Sequence, residues 1–367
     1  MTMMTLIRFF ALTLISTANA FSTPSTSNPE ISVWDDVLPN EEERAILHAY
    51  ASKSGLEHKC FSRPLAAGDG NNIIERTLDA ILTEIDGGTD GVNSKQYVEY
   101  WTRQEWRHIE AHADVDENLS KRLDQSPIDD DGELQSKYST TYQQNNGHRY
   151  PIYGHVLYLQ VGSDVKGPTC VFPRRSTGGD LLRPVSDIEE ECTNNDGDDR
   201  TNDMKLVTVP AVAGRLLCFN GRDLHAVPRP HDLWMLPFVK GGAEYEPEEV
   251  WGRSVILFNV WPGSEDPPLD VPLDVNGEDL TGSQTAKTFC NSFSNWNEVE
   301  ISQTVQPSSS ESESNQSVKI WLLGNERRRE YPMRTAPLVA PAEGGRQVVR
   351  EALAEKSKVT ELWLRQK

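Results

Sequence analysis

The sequence predicts a mainly β protein, a sandwich or barrel with supporting helices before it and a small α+β extension after it. Three observations lead there. From Tyr97 to Phe258 the apolar segments are short, rich in β-branched and aromatic residues, and bounded by Gly, Pro, Asn and Asp. Helical periodicity precedes them, up to Ile85. Beyond a Ser/Glu-rich tract the charge balance turns from acidic to basic.

The 367 residues carry 36 Lys and Arg against 56 Asp and Glu, a net charge of −20, and 37% are hydrophobic. Such a chain can bury a sizeable core. Its charge argues against nucleic acid, whose phosphates call for a basic surface. A protein, peptide or small-molecule substrate is the expected partner; oligomeric state is left open. Residues 1–20 set Arg8 before Phe9-Phe10-Ala11-Leu12-Thr13-Leu14-Ile15 and end in Ala18-Asn19-Ala20. That is the order of a secretory signal peptide cleaved after Ala20. The apolar run is too short for a bilayer, which takes about 20 residues, so no stable membrane insertion is expected. Residues 21–30 read as leader or linker. Phe21, followed by Ser22-Thr23-Pro24-Ser25-Thr26-Ser27, resembles the two-part leader of algae with secondary plastids. The ER lumen or secretion is therefore one expected destination and a plastid the other.

The elements follow in order. Ile31–Trp34 is a short strand, and Asn40 with Glu43 forms a capping box for a helix through about Ser52. A second helix spans Ile73–Ile85, with Ile74, Leu78, Ile81, Leu82 and Ile85 on one face and Gly87-Gly88 as its stop. Expected strands are Tyr97–Ala113, Gly154–Val161, Thr169–Phe172, Lys205–Val209, Arg215–Asn220 and Arg253–Trp261. Between Arg174 and Met204 lies an insertion whose segment 187–203 holds eight acidic residues against Arg200, a solvated loop. Cys192 stands where a calcium loop needs its first carboxylate, so calcium is not expected. The five cysteines include no Cys-x-x-Cys, which disfavours a zinc ribbon, and Cys170 and Cys218 read as buried thiols. The main domain is assigned to 31–285, a Ser/Glu-rich linker region to 286–317, and a basic α+β extension to 318–367. The extension holds 11 basic and 6 acidic residues, with strands Val318–Leu323 and Val359–Leu364 around a helix near Gln347–Lys356.

The chemistry centres on histidines. In a strand, alternation puts His112 and Asp114 on one face, and His225 follows in Asp223-Leu224-His225-Ala226-Val227-Pro228. Two imidazoles and one carboxylate suit non-haem Fe(II) with open positions for co-substrate and oxygen. A lone His-x-Asp arises often by chance, so the order of the other segments matters. It is followed by Tyr153-Gly154-His155-Val156-Leu157-Tyr158-Leu159, Gly167-Pro168-Thr169-Cys170-Val171-Phe172-Pro173, Gly214-Arg215-Leu216-Leu217-Cys218-Phe219 leading to His225, and Gly252-Arg253 opening a strand that ends at Trp261.

From about Ile31 to Pro262, this series resembles the iron and 2-oxoglutarate dependent dioxygenases, specifically the prolyl 4-hydroxylase-like branch. The resemblance implies a double-stranded β-helix, or jelly-roll. It also implies Fe(II) held by His112, Asp114 and His225, with 2-oxoglutarate and O2 as co-substrates and ascorbate as an accessory reductant. Arg253 resembles the residue that holds the distal carboxylate, for which a planar guanidinium is suited, and Tyr158 the tyrosine that assists it. The implied activity is hydroxylation of a C–H bond, with peptidyl proline as the first expected substrate and a free amino acid or other small metabolite next. The chain departs from the family pattern in two places. Arg253 stands 28 residues after His225 where the family has about ten, so Arg229 and Lys240 are rival anchors, and Pro168 replaces a glycine. His108 is about 13 Å along the strand from His112, too far for one ion. His155 faces away from Tyr158 and is assigned a structural role; Trp101 and Trp106 are candidates to line the substrate pocket, with core packing the expected role of either. Two other classes remain: a non-catalytic jelly-roll binding module, and a zinc cupin-like hydrolase, since the same ligands hold zinc.

Overall fold

The computed structural model describes residues 31–54, 57–65, 71–87, 95–105, 109–125, 149–163, 165, 167–173, 203–227, 252–273, 288–303, 317–318, 338–339 and 351–366. Among the described residues the first elements are β1 (Ile31–Asp35), α1 (Glu41–Ser54), β2 (Lys59–Arg63) and α2 (Ile73–Ile85). The central elements are β3 (Gln96–Glu105), β4 (Ile109–His112), α3 (Glu117–Gln125), β5 (Tyr153–Val161), β6 (Thr169–Phe172), β7 (Asp203–Val209), β8 (Leu216–Asn220), β9 (Leu224–Val227) and β10 (Arg253–Pro262). Then come β11 (Asn297–Glu298), β12 (Ser302–Gln303), β13 (Ser317–Val318), β14 (Leu338–Val339) and β15 (Thr360–Gln366).

Strands β3 to β10 pair antiparallel in nested fashion: β3 with β10, β4 with β9, β5 with β8 and β6 with β7. Two further pairings, β5 with β10 and β6 with β9, roll this long hairpin into two sheets. The first sheet runs β11-β1-β8-β5-β10-β3-β2, and the second runs β13-β14-β15-β7-β6-β9-β4 with β12 beside β15. The molecule is thus mainly β, built of two largely antiparallel sheets.

Period-two alternation gives the first sheet two different faces. Its outer face, with Val98, Tyr100, Leu157, Leu159, Leu216, Ile256, Phe258 and Val260, packs against Leu47 and Tyr50 of α1 and Ile74, Leu78, Ile81 and Leu82 of α2. Each such residue fully buried stabilises by about 1.5–3 kcal/mol relative to exposure. The intervening positions, Val156, Tyr158, Leu217, Phe219 and Val255, point inward and meet Val171, Val207 and Val209 of the second sheet. α2 begins with a true capping box: the Asn72 side chain accepts from the Glu75 N–H, and the Glu75 side chain accepts from the Asn72 N–H.

Several expectations need correction. The expected strand Tyr97–Ala113 is two strands in opposite sheets, because the chain crosses from β3 in one to β4 in the other. At α1, Asn40 Oδ1 accepts from the Glu42 N–H, so the cap differs from the expected Asn40–Glu43 box. β2 was not expected. Part of the assigned linker belongs to the body: β11 pairs with β1, Phe289 is buried, and Trp296 packs edge-on against Trp34 at 5.9 Å. Nor does the C-terminal segment stand apart. β15 pairs with β7 over six residues, Val359 is fully buried between the sheets, and Lys205 meets Glu361 at 2.8 Å. Buried Arg215 clamps both Asp35 oxygens at 2.6 and 2.9 Å and donates to the Ser357 carbonyl at 2.9 Å. β15 thus sits between β14 and β7 and extends the second sheet, and backbone pairing of this kind leaves little trace in composition.

Candidate metal centre

β4 and β9 lie side by side with His112 directly opposite His225. Their ring centroids are 4.3 Å apart with planes tilted by 50°. Asp114, just past the end of β4, brings one carboxylate oxygen to 3.7 Å from His112 Nε2 and the other to 3.8 Å from His225 Nε2. One ligand atom from each residue lies within 4.8 Å of the others. Contacts of that length are too long for hydrogen bonds but close to the spacing of donors around one ion with bonds of about 2.0–2.2 Å. The three residues therefore fit a divalent metal.

The surroundings orient these donors. His225 Nδ1 stands 3.3 Å from the Asp223 carbonyl, an interaction that favours the tautomer with its proton on Nδ1 and the Nε2 lone pair towards Asp114. Phe219 packs on the His225 ring with centroids 4.8 Å apart. His225 is buried, whereas the His112 and Asp114 side chains keep 22% and 17% exposure, so the centre opens to solvent on their side. The turn after Asp114 is held by buried Asp116, which accepts from the Leu119 and Leu269 N–H groups. Asp116 also pairs with buried Arg149 at 3.2 Å, and Arg149 further binds Glu265 and the Asp266 and Pro267 carbonyls.

Deeper between the sheets, Arg253 opens β10 with 6% exposure, and its Nη1 donates to the Gly167 carbonyl at 3.0 Å. Gly167 has φ +88°, a left-handed conformation that glycine adopts without strain. The guanidinium carbon is 6.0 Å from the centre of the Tyr158 ring. Tyr158 is fully buried and its hydroxyl lies 2.7 Å from Thr169 Oγ1. Burial raises the Tyr158 pKa, with Arg253 opposing, so the phenol stays neutral. His155 lies on the outer face, stacked on Phe258 with centroids 4.3 Å apart. Burial lowers its pKa to about 3, with Arg63 also lowering it against a backbone hydrogen bond to Phe258.

The structure thus brings His112, Asp114 and His225 together and places Arg253 beside Tyr158. Trp101 is buried and stacks on His58 at 4.4 Å. Trp106, His108, Arg229 and Lys240 lie outside the described residues. The partners of Arg253 and Tyr158, Gly167 and Thr169, carry no sequence signal beyond their place in Gly167-Pro168-Thr169-Cys170-Val171-Phe172-Pro173. Glu99 and Asn259 carried no sequence signal beyond sharing strand parity with Arg253 and Trp101.

No protein-family model matches the chain, and neither does any curated protein. Solved structures do show partial likeness. A Pseudomonas putida prolyl-4-hydroxylase covers 64% of this chain and 86% of its own, at 13% identity and a TM-score of 0.30. A viral collagen prolyl hydroxylase from Paramecium Bursaria Chlorella virus-1 covers 65% and 96%, at 12% identity and a TM-score of 0.31. HygX from Streptomyces hygroscopicus, with iron bound, covers 71% and 92%, at 13% identity and a TM-score of 0.27.

Proposed function

We propose that the chain is an Fe(II)- and 2-oxoglutarate-dependent dioxygenase built on a double-stranded β-helix, exported by way of residues 1–20. The observation that carries this is the opposition of His112 and His225 across β4 and β9, with the Asp114 carboxylate between their Nε2 atoms. Nested pairing of eight strands rolled into two sheets supports the jelly-roll. His112, Asp114 and His225 hold the metal and leave one side open. Iron with 2-oxoglutarate bound supplies the oxidation, in which O2, the keto acid and R–H give R–OH, succinate and CO2. Arg253, fixed by the Gly167 carbonyl, pairs with the distal carboxylate of the keto acid, and the neutral Tyr158 hydroxyl donates to it. Apolar walls from Val156, Val171, Leu217 and Val255 exclude water from the co-substrate chain. Peptidyl proline is the first substrate to try, followed by free amino acids and other small metabolites.

The same donors can hold zinc, so the test compares metals. Apoprotein loaded with ferrous iron should convert 2-oxoglutarate to succinate under O2, and apoprotein loaded with zinc should not. Succinate from neither would return the chain to the binding-module reading.

A further inference from the structure

Five positions of the first sheet stand side by side: Phe219, Gly154, Asn259, Glu99 and Cys60 are successive cross-strand partners in β8, β5, β10, β3 and β2. They share the inward face with Tyr158 and Val255. Phe219 ties one end of the row to the metal centre through His225. A Cβ on Gly154 would stand 2.7 Å from the Phe219 ring and 3.5 Å from Asn259 Oδ1. The absent side chain is what lets Phe219 and the Asn259 amide converge there.

Asn259 is 2% exposed, and no side-chain hydrogen bond joins its amide to a described residue. Beside it Glu99 is buried and divides its carboxylate between two donors, His58 Nδ1 at 2.8 Å and Trp261 Nε1 at 3.0 Å. Each oxygen keeps accepting capacity. Two residues along β3, Trp101 buries an Nε1–H that has no partner. Arg149 lies over Trp261 at 5.1 Å while bonded to Asp116, two residues past Asp114 in the chain. A buried polar group left open, as Trp101 Nε1 is, destabilises the site, and a ligand that meets it removes that cost. Arg253 opens the same strand face six residues away, about 20 Å, so co-substrate anchor and open polar groups sit at its opposite ends.

We propose that Asn259, Glu99 and Trp101 form the subsite for the prime substrate, and that it selects an amine or secondary-amide N–H carried on an apolar ring or chain. A free amino acid or other small amine offers that group, and the tertiary ring amide of a peptidyl proline does not. This inference rests on the oxygenase assignment. Glu99 and Asn259 Oδ1 accept from the N–H, Trp101 Nε1 donates to a substrate oxygen, and the Trp101 and Phe219 rings pack on the apolar part. A carboxylate turned this way meets Glu99, while Arg149 already serves Asp116, Glu265 and two carbonyls.

The test uses the full chain loaded with manganese(II) and 2-oxoglutarate, and two probes that share a ring, cyclopentylammonium and cyclopentanecarboxylate. Paramagnetic relaxation of their ring protons reports occupancy near the metal. The expected result is a preference for the ammonium of about tenfold, the worth of one charge-assisted hydrogen bond. Glu99→Gln should reduce it to about twofold or less, and Asn259→Ala, a second variant should the first fail to fold, should reduce it as well. Equal relaxation of the probes in the unmodified chain overturns the subsite, as does an unchanged preference in the folded variants. The iron(II) and 2-oxoglutarate charge-transfer band of the unmodified chain is read in parallel. A missing band defeats the oxygenase assignment; a normal band with equal relaxation defeats the subsite alone.

Discussion

The two faces of the first sheet are made by alternate residues of the same strands, yet most of their polar groups find different kinds of partner. On the outer face, the Tyr100 hydroxyl accepts from Asn72 Nδ2 at 2.8 Å and donates to the fully buried Glu75 carboxylate at 3.0 Å. Thr102 donates to the Ala51 carbonyl of α1. Those partners all belong to the fold, and the exception on this face is His155, whose buried Nδ1 meets no partner among the described residues. On the inner face, Arg253 donates to the Gly167 carbonyl, while Asn259 and the Trp101 N–H have no side-chain hydrogen bond to a described residue. His112, Asp114 and His225 converge at distances too long for hydrogen bonds. Closed networks make one face a structural seam, whereas open ones leave the other face able to gain free energy from a ligand. Function and folding are thus separated by strand parity, one residue apart.

Substitutions on each face should separate in the same way. The largest effect is expected from Asp114→Ala, which removes the ligand shared by both histidines. Succinate formation should fall by about 100-fold or more, since loss of mere outer supports of a metal site costs 10–100-fold. Turnover equal to that of the unmodified chain would remove Asp114 from the centre. Next, Arg253→Ala should weaken 2-oxoglutarate binding about 10- to 100-fold, the worth of a charge-assisted contact, while iron binding persists. Titration of the charge-transfer band measures this, and an unchanged midpoint would shift the anchor to Arg229 or Lys240.

The outer face should respond in stability alone. Tyr100→Phe strips a donor from buried Glu75 and should cost about 1–3 kcal/mol in urea unfolding, with the 2-oxoglutarate midpoint unmoved. A shifted midpoint with intact stability would erase the distinction between faces. The smallest effect at neutral pH belongs to His155. Its folded pKa, about 3, lies below the ordinary 6.5, so the unfolded chain takes the proton first. Its contribution is complete above pH 6.5 and is lost as pH falls towards 3, by up to tenfold in the unfolding constant per pH unit. His155→Phe should flatten that part of the stability profile, and an identical acid slope in both proteins would contradict its burial as a neutral group.

Much of this architecture was legible in the sequence because its signals are local. α2 matches the expected Ile73–Ile85 and β6 the expected Thr169–Phe172, where an apolar stripe or a short run flanked by turn residues is sufficient. β2 was missed because Lys59-Cys60-Phe61-Ser62-Arg63 is brief and charged at both ends, and it is held by pairing with β3. Pairing of β15 with β7 was hidden for a similar reason: composition marks a basic tail, while register is set by residues more than 150 positions away. For the candidate centre, residue types and chain order named the donors. The contact itself depends on the β4–β9 register, and the Gly167 carbonyl on Arg253 depends on a backbone conformation, neither of which local periodicity encodes. Glu99 and Asn259 fall between these cases, since parity places them on the inner face but says nothing of their unmet hydrogen-bonding capacity.

The central claim is a metal held by His112, Asp114 and His225 beside a 2-oxoglutarate site anchored by Arg253. Its most direct test is anaerobic addition of 2-oxoglutarate to the ferrous protein, followed in the visible spectrum. The account predicts a metal-to-ligand charge-transfer band that saturates at one keto acid per chain, is absent in Asp114→Ala, and needs more keto acid in Arg253→Ala. A folded, iron-loaded protein that shows no band would contradict it.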